Sequence, residues 1–191
     1  MNRAVFLDRD GTIIKDKGHI NDMKDIVFYN YTFDCLKELQ KDFLLFIITN
    51  QPGVAKGIIE VDCLNMIHSN ILQKMSDHGI DIKEIYCCTH RKEDNCLCRK
   101  PNTFFIDSAK DKFSIDLENS FVIGDHPSDI ELAIKIKANG IYVLTGHGQK
   151  HFRELNFQQK QKIKICSNLK SATQTILKSL NNGTSHGQYN Y

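Results

Sequence analysis

The sequence predicts an α/β protein, a Rossmann-like three-layer sandwich with a mainly parallel sheet. Short, continuously apolar runs alternate along the chain with segments whose apolar residues recur at helical spacing. Strands read as unbroken apolar runs when helices cover both faces of a parallel sheet. At 191 residues the chain is long enough for one domain with a sizeable core, and no insertion is long enough for a separate cap domain.

The elements follow one another in a regular order. Apolar runs predict strands at 4–8, 43–48, 85–88, 121–123 and 141–144, with an edge strand at 163–166. Helical spacing predicts helices at 32–41, 60–77, 102–113 and 169–180. Ser128 and Glu131 resemble a capping box, which predicts a further helix ending at about Ala138. We therefore expect a single domain over 1–180, with a cysteine-rich loop at about 87–101 and a mobile tail at 181–191.

Composition gives no reason to expect a nucleic-acid or membrane partner. The chain has 25 Lys and Arg against 23 Asp and Glu, a formal net charge of +2. No apolar run is long enough to span a bilayer, and the N-terminus lacks a secretory signal pattern, so we expect a cytoplasmic monomer. Seven cysteines, an odd number, are better explained by reduced thiols and metal ligation than by disulfides.

The first predicted strand ends in a pair of carboxylates, Asp8 and Asp10, and Gly11 then turns the chain. Ligands bind at this end of the strands in open α/β sheets. Side chains alternate along extended backbone, so Asp8 and Asp10 can share a side while Arg9 points elsewhere. Such a pair can hold a divalent cation or act as nucleophile and acid/base. An ordinary strand ending in a polar turn is the alternative.

Three later segments complete a pattern. Thr49 follows the second strand, Lys100 lies in an Arg-Lys-Pro segment, and Asp125 follows another strand with Asp129 four residues on. In this order, with the Asp-x-Asp-Gly-Thr segment that begins at Asp8, they resemble the haloacid dehalogenase (HAD) superfamily of phosphatases. The resemblance covers residues 3 to about 145.

The resemblance implies a role for each residue. Asp8 would attack phosphorus and form an aspartyl-phosphate, and Asp10 would be the general acid/base. Mg²⁺ would be held by Asp8, the backbone carbonyl of Asp10 and Asp125. Thr49 would donate a hydrogen bond to the phosphoryl group, and Lys100 would offset its charge. Asp129 would cap the following helix or orient a metal-bound water, and direct ligation of the metal is a further alternative.

The cysteine-rich loop carries four zinc-competent side chains within eleven residues, Cys88, His90, Cys96 and Cys98. Within each pair the spacing is two, so both side chains can face one metal on locally extended backbone. Three thiolates and one imidazole form a closed, structural type of zinc site. Cys87 would point the other way, into the core. The alternative is a solvated loop with incidental cysteines.

Two related families share this loop, the D-glycero-D-manno-heptose 1,7-bisphosphate 7-phosphatases and the histidinol-phosphatase domains. Segments 6–13, 16–19 and 49–57 resemble the heptose enzymes more closely. That resemblance implies Mg²⁺-dependent removal of the C7 phosphate of a sugar bisphosphate in ADP- or GDP-heptose biosynthesis, which supplies lipopolysaccharide or surface glycans. It also implies a substrate pocket lined by Asp16, Lys17, Gly18, His19, Asn50, Gln51, Pro52, Gly53, Arg99, Lys100 and His126.

Several alternatives stay open on the sequence alone. The substrate could be histidinol phosphate or a polynucleotide 3′-phosphate, although the near-neutral charge argues against a polyanion. A catalytically silent, zinc-stabilised interaction module is the alternative outside enzymes. His126 could bind phosphate as a partly cationic ring or face solvent. His68, His78, His147 and His151 read as surface residues, and His186 lies in the predicted tail.

Overall fold

The computed structural model describes residues 1–184, in which six strands form one sheet. The strands are β1 (Ala4–Leu7), β2 (Leu44–Asn50), β3 (Ile82–Cys88), β4 (Phe121–Gly124), β5 (Asn139–Val143) and β6 (Ile163–Cys166). Their order across the sheet is β3-β2-β1-β4-β5-β6, and every neighbouring pair is parallel. The predicted edge strand at 163–166 is confirmed.

Helices cover both faces of the sheet. They are α1 (Thr32–Leu39), α2 (Val61–Asp77), α3 (Phe104–Phe113), α4 (Pro127–Lys135), α5 (Gly148–His151), α6 (Phe157–Lys162) and α7 (Leu169–Thr184), with 3₁₀ turns at Met23–Asp25 and Phe152–Glu154. Helices α1, α2 and α7 pack on the face that carries Val5 and Leu7, whereas α3 and α4 pack on the face that carries Ala4 and Phe6. Alternation along β1 therefore supplies both cores, and the three-layer prediction is confirmed.

Two helices differ from their predicted boundaries. Helix α4 begins at Pro127, with the capping box formed by His126 and Asp129 rather than by Ser128 and Glu131, and it ends at Lys135. Helix α7 continues to Thr184, beyond the predicted start of the tail. The rest of that tail, 185–191, lies outside the described residues, as does His186. The division into one domain and a tail stays a prediction.

Within residues 1–184, no helix combines the length and the apolar character that crossing a bilayer requires. The candidate functional residues lie at one edge of the sheet. Because all six strands run the same way, the residues that follow β1, β2 and β4 meet at the carboxyl edge of the sheet.

Candidate active site

A cavity of about 650 Å³ opens at this edge of the sheet. Its lining includes the predicted residues Asp8, Asp10, Asp16, Gly18, His19, Thr49, Asn50, Gln51, Pro52, Arg99, Lys100, Asp125 and His126. Two residues predicted for the pocket are absent from its wall. Lys17 is exposed and lies 3.7 Å from Asp25, and Gly53 packs beneath the side chains of Ile59 and His19. Their neighbours in sequence face the cavity, but these two positions turn away from it.

An acidic cluster forms the floor of the cavity. Carboxylate oxygens of Asp8, Asp125 and Asp129 all lie within 4.8 Å of one another. The ammonium of Lys100 lies 2.5 Å from Asp8 Oδ1 and 2.6 Å from Asp129 Oδ1, and it also donates to the Ile48 carbonyl oxygen at 2.8 Å. One buried cation therefore partly balances three carboxylates.

Burial and the neighbouring carboxylates shift the pKa values of the cluster. Burial, with Asp8 and Asp129 nearby, raises the pKa of Asp125 to about 9. Burial also raises the pKa of Asp8 to about 6, although Lys100 opposes the shift. Burial alone would lower the pKa of Lys100, but Asp129 and Asp8 outweigh it and raise that pKa. A divalent cation bound to the carboxylates would relieve this imbalance, so the donor set fits such an ion.

Two glycines shape the surroundings of Asp125. A Cβ on Gly11 or on Gly146 would lie 2.1 Å or 2.2 Å from Asp125 Oδ2, and both glycines have positive φ angles, +80° and +55°. The His147 backbone N–H donates to the same oxygen at 2.7 Å. Asp125 Oδ2 is therefore closely surrounded by backbone, and neither glycine leaves room for a side chain there.

Asp129 has a structural task in addition to its place in the cluster. Its Oδ2 accepts a hydrogen bond from the His126 backbone N–H at 3.1 Å, which caps α4, while its Oδ1 anchors Lys100. This agrees with the capping role considered from the sequence. His126 is exposed at the cavity rim, where its Nδ1 accepts from the Ser128 backbone N–H at 3.2 Å. Desolvation and the neighbouring His151 ring lower the pKa of His126, so the neutral ring prevails near neutral pH.

The four cysteine-loop ligands converge as the spacing predicts. The three thiol sulfurs of Cys88, Cys96 and Cys98 are 3.3 to 3.6 Å apart, and His90 Nδ1 lies 3.3 Å from Cys98 Sγ and 3.7 Å from Cys88 Sγ. Ligands at zinc bond lengths of about 2.3 Å for sulfur and 2.0 Å for nitrogen sit about 3.5 to 3.8 Å apart in a tetrahedron. The cluster therefore fits a closed tetrahedral zinc site. Cys87 is half-buried outside it, and burial raises the pKa of its thiol to about 12.

Comparison with known proteins shows the family. Residues 97–172 match the HAD-hydrolase-like family model. The chain is 37% identical over 142 residues to the D-glycero-beta-D-manno-heptose-1,7-bisphosphate 7-phosphatase of Helicobacter pylori, an alignment covering 72% of this chain and 82% of that protein. The chain belongs to this family of HAD-type phosphatases.

The chain is also similar to a solved structure and to part of a larger protein. The crystal structure of D,D-heptose 1,7-bisphosphate phosphatase from B. bronchiseptica, complexed with magnesium and phosphate, shares the fold with a TM-score of 0.84 at 23% identity, covering 93% of this chain and 99% of that one. The histidine biosynthesis bifunctional protein HisB of Buchnera aphidicola is 33% identical over 144 residues, which cover 73% of this chain and 40% of that protein. Because the chain belongs to a family of phosphatases, we assign it as a phosphatase rather than as a catalytically silent interaction module.

A clasp between β2 and the cysteine loop was missed from the sequence. Asn50, predicted for the pocket, donates through Nδ2 to the Lys100 carbonyl oxygen at 3.2 Å and accepts through Oδ1 from the Lys100 backbone N–H at 3.0 Å. The loop is tied within itself by Arg99 Nη1 to the His90 carbonyl oxygen (3.1 Å) and by Asn102 Nδ2 to the Cys96 carbonyl oxygen (2.7 Å). These bonds connect the predicted zinc cluster to the cation of the acidic cluster.

Two histidines interpreted as surface residues belong to the site or its support. His147 lines the cavity, and its Nδ1 lies 2.7 Å from Asp16 Oδ2. It lies just after Gly146, where the sequence pattern is weak, so no periodicity signals its position. His68 is half-buried and contacts Arg9, which is fully buried. His78 is exposed, as predicted.

Proposed function

We propose that this protein removes the C7 phosphate of D-glycero-D-manno-heptose 1,7-bisphosphate by Mg²⁺-dependent hydrolysis of the phosphomonoester. The main supporting observation is the cluster of Asp8, Asp125 and Asp129 in the cavity, with a buried lysine paired to Asp8 and Asp129. The chain that carries this cluster belongs to this phosphatase family. A sugar phosphate is the corresponding partner, in the biosynthesis of heptose for surface glycans.

Asp8 is the proposed nucleophile. A bond forms between an Asp8 carboxylate oxygen and phosphorus as the bond from phosphorus to the sugar oxygen breaks, which leaves an aspartyl-phosphate. Lys100, at 2.5 Å from Asp8, and the Thr49 hydroxyl would stabilise the charge on the phosphoryl oxygens. Water then releases inorganic phosphate and regenerates the Asp8 carboxylate.

Asp10 is the proposed general acid and base. It would protonate the leaving sugar oxygen and then take a proton from the attacking water. Burial raises the pKa of Asp10, opposed by the charge of Arg9, which suits a carboxyl group that must carry a proton before it can give one away. Asp10 lines the cavity, and its Oδ1 has no hydrogen-bond partner among the described residues.

Mg²⁺ is the proposed ion at the acidic cluster, held by Asp8, Asp125 and the backbone carbonyl of Asp10. When bound, it would neutralise charge on the carboxylates and on the phosphoryl oxygens. The hard oxygen donors and the raised pKa of Asp125 support this choice. Asp129 keeps its place as the cap of α4 and the anchor of Lys100.

Zn²⁺ is the proposed ion at Cys88, His90, Cys96 and Cys98, with a structural role. It would hold the loop that presents Arg99 and Lys100 to the cavity. Arg99 uses Nη1 to bind its own loop, and its other guanidinium nitrogens can bind a second phosphate on the substrate. Thiolate ligation is compatible with the reducing cytoplasm, where we place the enzyme as a monomer.

A second candidate substrate is histidinol phosphate, because part of the HisB protein matches this chain at 33% identity. A substrate panel separates the two. We expect the highest kcat/KM for heptose 1,7-bisphosphate, ahead of fructose 1,6-bisphosphate, histidinol phosphate and a 3′-phosphorylated oligonucleotide. A higher value for histidinol phosphate would overturn the assignment, and no Mg²⁺-dependent phosphate release from any of them would overturn the reaction itself.

A further inference from the structure

A buried arginine, Arg9, binds the carboxylate of Asp10. Arg9 is fully buried, its Nε donates to Asp10 Oδ2 at 3.0 Å, and its Nη2 lies 2.8 Å from the same oxygen. Gln51 Nε2 donates to that oxygen as well, at 2.7 Å, and to Thr49 Oγ1 at 2.8 Å. Asp10 Oδ2 therefore accepts from both Arg9 and Gln51, whereas Oδ1 is buried and has no hydrogen-bond partner among the described residues. In the proposed reaction Oδ1 is the oxygen that would exchange the proton.

The other end of the arginine is held by a histidine on α2. Arg9 Nη1 lies 3.2 Å from His68 Nε2. A guanidinium can only donate, so His68 Nε2 must be the acceptor and the ring must be the neutral Nδ1–H tautomer. Burial and the charge of Arg9 lower the pKa of His68 to about 4, so the ring stays neutral in the working range of pH.

The three side chains form a chain of hydrogen bonds, the relay, which runs from His68 through Arg9 to Asp10. It joins residues that lie 59 positions apart in the sequence. A buried guanidinium has no solvent to hydrogen-bond its nitrogens. If Nη1 loses its acceptor, the whole planar group must therefore shift to find another. Because Nε and Nη2 are rigidly coupled to Nη1 in one plane, that shift moves the Asp10 carboxylate.

We propose that His68 is a positioning residue for proton transfer at the active site: it fixes the Arg9 guanidinium, which in turn orients the Asp10 carboxylate. The inference rests on the proposed function, in which Asp10 protonates the leaving oxygen. Among the described residues that line the cavity His68 is absent, so it acts through Arg9 rather than on the substrate. His68 adds no step to the proposed reaction. It affects only how well Asp10 is oriented to transfer its proton to the leaving oxygen.

The test uses the dependence of rate on the leaving group. The difference lies in the phosphoryl transfer to Asp8, the step that kcat/KM reports. A sugar alkoxide must be protonated as it leaves, whereas p-nitrophenolate leaves without a proton, so in that step only the sugar phosphate needs a well-oriented Asp10. We expect His68→Leu to lower kcat/KM about tenfold for the best sugar phosphate of the panel and less than about twofold for p-nitrophenyl phosphate. His68→Gln, which offers an amide oxygen to Arg9, should recover most of the loss.

Two parallel variants keep the outcomes distinct. Arg9→Lys keeps a buried cation but lacks the planar fork, so it should show the same leaving-group signature if His68→Leu fails to fold. Asp10→Asn should show the largest signature. Equal losses on both substrates in His68→Leu and Arg9→Lys, beside a strong signature in Asp10→Asn, would overturn the relay. The lack of a signature in Asp10→Asn would overturn the proposed acid role instead.

Discussion

The side-chain amide of Asn50 spans the backbone of Lys100, donating to its carbonyl oxygen and accepting from its N–H. The end of β2 is thereby fastened to the loop that carries the cation of the acidic cluster. Lys100 can then reach Asp8 at 2.5 Å from a fixed backbone. A residue 50 positions earlier thus sets where the ammonium lies.

Removal of this clasp should lower both stability and activity. We expect Asn50→Ala to lose about 1 to 3 kcal/mol of unfolding free energy, since two backbone groups lose their partner. It should also lower kcat about tenfold or more because Lys100 is displaced. Asn139→Ala is the matched control, since its side chain also binds two backbone groups, the carbonyl oxygens of Glu118 and Ser120, away from the cavity. Equal kcat in the two variants would contradict the role of the clasp.

Asp8→Asn should abolish turnover and leave the fold intact. The amide is a poor nucleophile, and Lys100 keeps its ion pair with Asp129, so no buried charge is stranded. We expect kcat to fall by at least about 10³-fold, measured as phosphate release, with a melting temperature close to that of the unmodified protein. Asp81→Asn, which changes an exposed carboxylate paired with Lys83, is the control and should keep full activity. Wild-type turnover in Asp8→Asn would end the nucleophile assignment.

Stability should depend on pH and on Mg²⁺ in a linked way. The pKa of Asp125 is about 9 in the folded metal-free protein against an ordinary 3.8, so the folded state holds a proton that the unfolded state releases. This contribution is fully present below about pH 4 and is lost as pH rises through about 9, so the metal-free melting temperature should fall across that window. Mg²⁺ competes with that proton, so its stabilising effect should grow with pH.

Thermal melts at about pH 5.5 and about pH 8, with and without Mg²⁺, measure this linkage. Asp125→Asn should flatten the pH dependence and remove most of the Mg²⁺ effect. A Mg²⁺ increment that is the same at both pH values in the unmodified protein would show that Asp125 does not bind the ion.

Zinc removal should lower activity through geometry. We expect one zinc per chain by metal analysis, and Cys96→Ser or a chelator should reduce both zinc content and kcat, because the loop that carries Lys100 loses its anchor. Cys87→Ser is the control: Cys87 neighbours a ligand but lies outside the cluster, so zinc content should not change. Zinc-free protein with undiminished kcat would contradict the link between the loop and the cavity.

Gly11 and Gly79 offer a matched pair of substitutions. Both have positive φ, +80° and +69°, so alanine at either position costs about 1 to 2 kcal/mol of backbone strain. Only at Gly11 would the new Cβ collide with Asp125 Oδ2, whereas nothing lies within 4 Å of the Cβ position at Gly79. Gly11→Ala should therefore raise the Mg²⁺ concentration needed for half-maximal activity, and Gly79→Ala should not. A parallel response of the two variants would show that crowding at Asp125 is irrelevant.

The residues at the strand ends were predictable because their position follows from local pattern alone. An apolar run before Asp8 and another before Asp125 place both carboxylates at one sheet edge in any parallel sandwich. The cysteine spacing likewise determines which side chains can meet. The cap of α4 was misplaced because histidine is outside the usual set of N-cap residues, so His126 gave no signal.

The missed contacts are those between distant segments. The Asn50–Lys100 clasp and the Arg9–His68 contact join positions 50 and 59 residues apart, and no single-segment pattern encodes either. Loop residues pose a related problem. Gly18 and His19 line the cavity whereas Lys17 turns outward, because irregular backbone has no fixed period that assigns side chains to a face.

Lys100 is shared between one carboxylate that would be phosphorylated, Asp8, and one that would not, Asp129. When Asp8 carries the phosphoryl group it loses the anionic oxygen that attracted the ammonium. Asp129, which lies 2.6 Å from the same ammonium, keeps its negative charge in that intermediate. The ammonium therefore stays bound between the two half-reactions and does not have to be repositioned before the second begins.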